Sequence, residues 1–107
     1  MKIKERLETI LGEFLERNKD YSINVYITNC VTGNHMALLL IPYERMTKKE
    51  EGKFVLEWDD ARFYNFCLLY DEILGCYEEK DEYNSQTVHV IMKNGMMFEF
   101  ECVGLRV

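Results

Sequence analysis

The sequence predicts an α+β fold: an N-terminal helix packed on a mainly antiparallel sheet of four to five strands that ends in a C-terminal β-hairpin. Three observations carry that expectation. The first fifteen or so residues repeat apolar side chains at helical spacing, the residues from Tyr21 switch to a period of two, and Asn94-Gly95 near the end separates two strand-like runs. The whole length, residues 1–107, is expected to form a single small domain.

Ile3, Leu7, Ile10, Leu11, Phe14 and Leu15 form one stripe of an α-helix, with Lys4, Glu5, Glu8, Glu13 and Arg17 outside it. Asn18 is a natural stop, and Gly12 suggests close packing on a sheet. Tyr21, Ile23, Val25 and Ile27 then alternate with Ser22, Asn24, Tyr26 and Thr28, as in a half-buried strand. After turn chemistry at Val31-Thr32-Gly33-Asn34, Met36 to Ile41 is apolar on both faces. That suits a central strand covered on each side and ended by Pro42.

Residues 44–52 read as a charged loop, and Phe54, Leu56 and Trp58 alternate with Val55 and Glu57 in a third strand. A second helix is expected near 60–74. Asp59 or Asp60 would cap it, Phe63, Phe66, Cys67, Tyr70, Ile73 and Leu74 would share one face, and Gly75 would follow its end. A strand over 69–77 remains the alternative. In the final hairpin a two-residue turn pairs Lys93 with Met96, Ile91 with Phe98 and His89 with Phe100. One face then holds Ile91, His89, Met96, Phe98, Phe100 and Cys102. The other sets Val88, Val90 and Met92 beside Met97, Glu99 and Glu101. A homo-oligomer meeting at Val88, Val90 and Met97 is compatible with that face, and so is a free edge guarded by Glu99 and Glu101.

The net charge of −6 is concentrated. Residues 57–82 hold nine acids and two bases, a net of −7, whereas the other 81 residues balance at +1. Such a field disfavours nucleic-acid phosphates and anionic lipid as direct partners. No run reaches the roughly 18 apolar residues of a membrane span. The basic start Met1-Lys2-Ile3-Lys4 lacks the apolar stretch of a signal peptide, so a cytoplasmic protein is expected. Its four cysteines, Cys30, Cys67, Cys76 and Cys102, are then reduced and packed as small hydrophobes.

Chemistry-bearing constellations are weak. The cysteines and the two histidines, His35 and His89, lack the short spacings of zinc sites, and the six glycines are isolated, so no metal, cofactor or phosphate loop is expected. His89 and Cys102 on one hairpin face are the residues an enzyme would use, but no nucleophile elbow accompanies them. The acidic segment with its aromatics is the favoured candidate surface, comprising Trp58, Asp59, Asp60, Asp71, Glu72, Tyr77, Glu78, Glu79, Asp81 and Glu82. Aromatics are enriched at protein interfaces, and a concentrated negative field steers a basic partner. The expected function is therefore a non-enzymatic binding module for a basic protein surface, in its sharper form an inhibitor that mimics nucleic acid.

One alternative comes from likeness. The apolar helix end at Leu11 followed by Ser22-Ile23-Asn24-Val25-Tyr26-Ile27-Thr28-Asn29 resembles the start of Sm-like RNA-binding domains. The likeness covers under a third of the chain and implies a small nucleic-acid-associated β fold. No glycine follows Asn29, and no RNA-binding residue is carried over.

Overall fold

The computed structural model describes residues 2–40, 45–58, 64–82 and 86–106. Helix α1 runs over 3–17, with its middle turn, Glu8–Gly12, widened to π geometry between the α-helical stretches Ile3–Leu7 and Glu13–Arg17. Eight strands follow: β1 Tyr21–Asn29, β2 His35–Leu40, β3 Arg45–Glu50, β4 Lys53–Trp58, β5 Tyr64–Leu69, β6 Ile73–Lys80, β7 Gln86–Met92 and β8 Met96–Arg106. All recorded pairings are antiparallel. They make a five-stranded sheet in the order β2-β1-β8-β7-β6 and a separate three-stranded sheet, β3-β4-β5. The α+β class and the helix-on-sheet arrangement are as the sequence predicts.

The helix buries its expected stripe: Leu7, Leu11 and Phe14 are fully buried and Leu15 nearly so. They meet Ile23 and Val25 of β1, Phe100 of β8, Val88 and Val90 of β7 and Cys76 of β6. Phe54, Leu56 and Leu68 of the smaller sheet join the same core. Each large side chain removed from water there contributes about 1.5–3 kcal/mol, which is why one face of every central strand is apolar. The radius of gyration, 13.3 Å, matches a folded domain of this length. A Cβ at Gly12 would meet nothing within 4 Å, so close packing does not account for that glycine.

Four expectations are corrected. The second helix expected near 60–74 is absent from 64–74. Tyr64–Leu69 is β5, a 3-10 turn spans Tyr70–Glu72, and β6 begins at Ile73; positions 60–63 lie outside the described residues. Pairing with β4, which sets Phe54 opposite Leu68, overrides the helical spacing. Residues 45–50 of the expected loop form β3, paired along β4. β2 is an edge strand, not a covered central one, with Met36 and Leu39 more than half exposed. Conversely β8 is no edge: it lies between β1 and β7.

The hairpin register is also one residue from the expected one. Val90 pairs with Phe98, Val88 with Phe100 and His89 with Glu99. Gly95 has φ +91 and its N–H donates to the Met92 carbonyl, so the turn takes three residues, with Gly95 in the left-handed position. A one-residue slip exchanges the two faces of a strand. Val88, Val90, Met92 and Phe100 therefore face the core, and Val88 and Val90 are unavailable to an oligomer contact. His89 and Ile91 go to the opposite face.

Candidate functional site

The register defines the outer face of the five-stranded sheet. Three rows of directly opposed residues cross it. The first runs Glu79, Thr87, Glu101, Asn24, Leu39. The middle row runs Tyr77, His89, Glu99, Tyr26, Ala37. The last runs Gly75, Ile91, Met97, Thr28, His35. None of these positions is Lys or Arg, while three are carboxylates.

At the centre is His89, which is buried although it belongs to the outer face. The Tyr77 ring stacks on it, with centroids 4.6 Å apart and planes within 12°. His89 Nε2 lies 3.3 Å from a Glu79 carboxylate oxygen, and Nδ1 lies 3.9 Å from Glu99. Nδ1 has no hydrogen-bond partner and is shut off from solvent. One imidazole is thus flanked by two carboxylates from neighbouring strands and roofed by a phenol. Beside it, Asn24 Nδ2 donates to Tyr26 Oη at 3.2 Å, fixing the second ring of the middle row.

The described residues of the acidic segment are spread over several surfaces. Glu78 and Glu79 point to opposite faces of β6: Glu79 joins the outer rows, while Glu78 is reached by Arg17 at 3.3 Å on the helix side. Asp71 and Glu72 occupy the 3-10 turn at one end of β6, and Asp81 and Glu82 follow its other end; all four are exposed. Trp58 ends β4, with its backbone opposite Arg45 and Tyr64. Asp59 and Asp60 lie outside the described residues. Among the described residues of the expected site, Tyr77 and Glu79 join this patch. Glu99, Glu101, His89 and Tyr26 complete the patch, and the assumed two-residue turn concealed them.

His89 and Cys102 part company, because Cys102 pairs with Ile23 and packs against the core while His89 faces outward. Four free thiols are present. Cys76 is buried, but Cys30 and Cys67 are exposed, contrary to the expectation that all pack inside. Burial pushes the Cys76 thiol up to about 11, against the opposing pull of Arg6, so it is a neutral thiol at neutral pH. Among the described residues no group of three or more His, Cys, Asp or Glu side chains is placed to hold a metal ion. Nor is any described helix long and apolar enough to cross a membrane.

A second acidic feature is a concavity of about 530 Å³ between α1 and β4, lined by Glu5, Glu8, Glu13, Glu16 and Phe54. Its charge is partly engaged within the chain: Lys19 lies 3.4 Å from Glu16, and the Tyr70 hydroxyl donates to Glu8. Among the described residues the outer sheet face is the less compensated of the two, since no Lys or Arg reaches Glu79, Glu99 or Glu101. No family model, curated protein or solved structure matches the chain. The class that can be stated is a small α+β domain with a carboxylate- and tyrosine-bearing sheet face.

Proposed function

We propose that the protein is a non-enzymatic binding module whose outer sheet face receives a basic segment of a partner protein. One observation carries the reading. Glu79 of β6 and Glu99 and Glu101 of β8 flank β7 on one face, beside the rings of Tyr77 and Tyr26, with no cation in the three rows. Two strand spacings of about 4.8 Å separate Glu79 from Glu101, and two residues along β8 separate Glu99 from Glu101, intervals that successive Arg or Lys side chains can span. Guanidinium groups pair with carboxylates in a bidentate fork and stack on tyrosine rings, so arginine is the better fit. The proposed setting is the cytoplasm, a reading supported by four thiols that form no disulfide.

The reading is tested with a fluorescent arginine-rich peptide, followed by anisotropy at low and high salt. Binding should weaken with salt. Glu79→Gln, Glu99→Gln and Glu101→Gln together should reduce it roughly tenfold or more. Asp71→Asn with Glu72→Gln, which also removes two charges, should leave it nearly unchanged. Equal losses from both variants would mean that only net charge matters, and the assigned face would be wrong.

A further inference from the structure

The opposite end of the same sheet has a different character. Residues 21–43 contain no Asp, Glu, Lys or Arg, in a chain where 30% of residues are charged. Strands β1 and β2 lie wholly within this stretch, and β2 forms the sheet edge. Its side chains are open to solvent: Met36 is 55% and Leu39 52% exposed, and Val31 in the adjoining turn is 81% exposed.

The backbone of that edge is also set for pairing. The Asn29 N–H donates to the Asn34 carbonyl at 2.8 Å, so 29 and 34 form a hydrogen-bonded pair. Antiparallel alternation then directs 36, 38 and 40 toward β1 and turns the N–H and C=O of His35, Ala37 and Leu39 outward.

Two of the other sheet edges carry charge. β6 ends in Glu78-Glu79-Lys80, and the Arg6 guanidinium donates to the Cys76 carbonyl at 2.6 Å. β3 reads Arg-Met-Thr-Lys-Lys-Glu. β5 is uncharged like β2, but its Cys67 and Leu69 line a cavity together with Met92, Met96 and Phe98 of the β7–β8 hairpin. An apolar, uncharged edge without such devices is the kind that recruits another strand.

We propose that β2 is a dimerisation edge, joining antiparallel to β2 of a second copy about a twofold axis at Ala37. The register follows from the outward groups. Ala37 faces Ala37 of the partner subunit and His35 faces Leu39 of the partner subunit, so every outward N–H and C=O over 35–39 is paired. Met36 then packs beside Leu38 of the partner subunit on the helix side. The strand is self-complementary in this register and opposes no like charges, as an isologous contact requires.

Charge distribution favours a copy as the occupant. The acidic β6 edge is four strand spacings away, about 19 Å, so joining at β2 keeps the two acidic edges well beyond the screening length. The result is one continuous ten-stranded sheet.

The test combines sedimentation equilibrium with amide hydrogen exchange across a concentration series. The wild-type chain should approach twice its 12.8 kDa mass. The amides of His35, Ala37 and Leu39 should become protected as concentration rises, while those of Met36 and Leu38 are protected throughout. Leu39→Lys should stay monomeric, with the β8 amides still slow to exchange, which shows that it folds. A wild-type chain that remains at 12.8 kDa overturns the proposal. So does a dimer whose 35, 37 and 39 amides stay unprotected, because it would use another surface.

Discussion

Tyr77 on β6 stacks directly over His89 on β7, ring on ring at 4.6 Å, and so buries an imidazole on the solvent-facing side of the sheet. Burying a polar ring on that face has consequences that can be measured.

Removing the roof should cost stability as well as binding. An aromatic pair of this geometry contributes about 1 kcal/mol beyond the area it covers. Tyr77→Ala and His89→Ala should therefore show a coupling of that order in a double-mutant cycle read by urea unfolding. Strictly additive losses would show that the two rings touch without stabilising each other.

Gly95 holds the register that creates this face. Its φ of +91 is disfavoured for any side chain, and a Cβ there would lie 3.0 Å from Val31 Cγ2. Gly95→Ala should destabilise the fold by about 1–2 kcal/mol, seen as a lower urea midpoint with an unchanged slope. An unchanged midpoint would show that the turn is not held in this geometry.

The β6 edge depends on Arg6. Its side chain donates to the outward carbonyl of Cys76, and hydrogen bonds to charged groups contribute about 1.5–3 kcal/mol when partly buried. Arg6→Ala should lower stability by about 1 kcal/mol or more, since its end of the contact is solvent-exposed. Arg6→Lys should recover only part of that loss, because the donating Nε is gone. Full recovery by lysine would reduce the contact to simple charge.

Cys76 makes stability fall in alkali. Its folded thiol is raised from 9.0 to about 11, chiefly by burial. A raised group favours the fold while it stays protonated. Stability should therefore hold below pH 9 and decline as pH rises toward 11, at up to about 1.4 kcal/mol per pH unit. Tyr70, raised by burial and by Glu8, acts in the same direction at the upper end of that range. Urea midpoints from pH 8 to 11 should fall less steeply for Cys76→Ala than for the wild type. Parallel profiles would remove Cys76 as the cause.

The sequence showed the helix and β1 plainly, because Leu7, Leu11 and Phe14 keep helical spacing and Ile23 and Val25 keep strand spacing. It was ambiguous where two local structures satisfy the same residues. Asn94-Gly95 fits a two-residue turn or a three-residue turn with Gly95 left-handed, and only packing of Val88 and Val90 under Phe100 selects the second. The cue was present: Val88, Val90 and Met92 are uniformly apolar, whereas Thr87, His89 and Ile91 are mixed. Phe66, Cys67, Tyr70, Ile73 and Leu74 likewise fit a helix until β4 supplies a pairing edge, a contact that local spacing does not encode. The candidate face was illegible for the same reason. It is assembled from β1, β6, β7 and β8, and its membership depends on registers that a single-residue slip reverses.

The central claim is that a basic segment binds across the first and middle rows of the outer face. Amide chemical-shift mapping of the labelled protein during titration with an arginine-rich peptide tests it most directly. The account predicts that the largest shifts fall on Tyr77, Glu79, His89, Glu99, Glu101 and Tyr26 and shrink with added salt. Shifts concentrated instead on Asp71, Glu72, Asp81 and Glu82, or along Glu5, Glu8, Glu13 and Glu16, would contradict it.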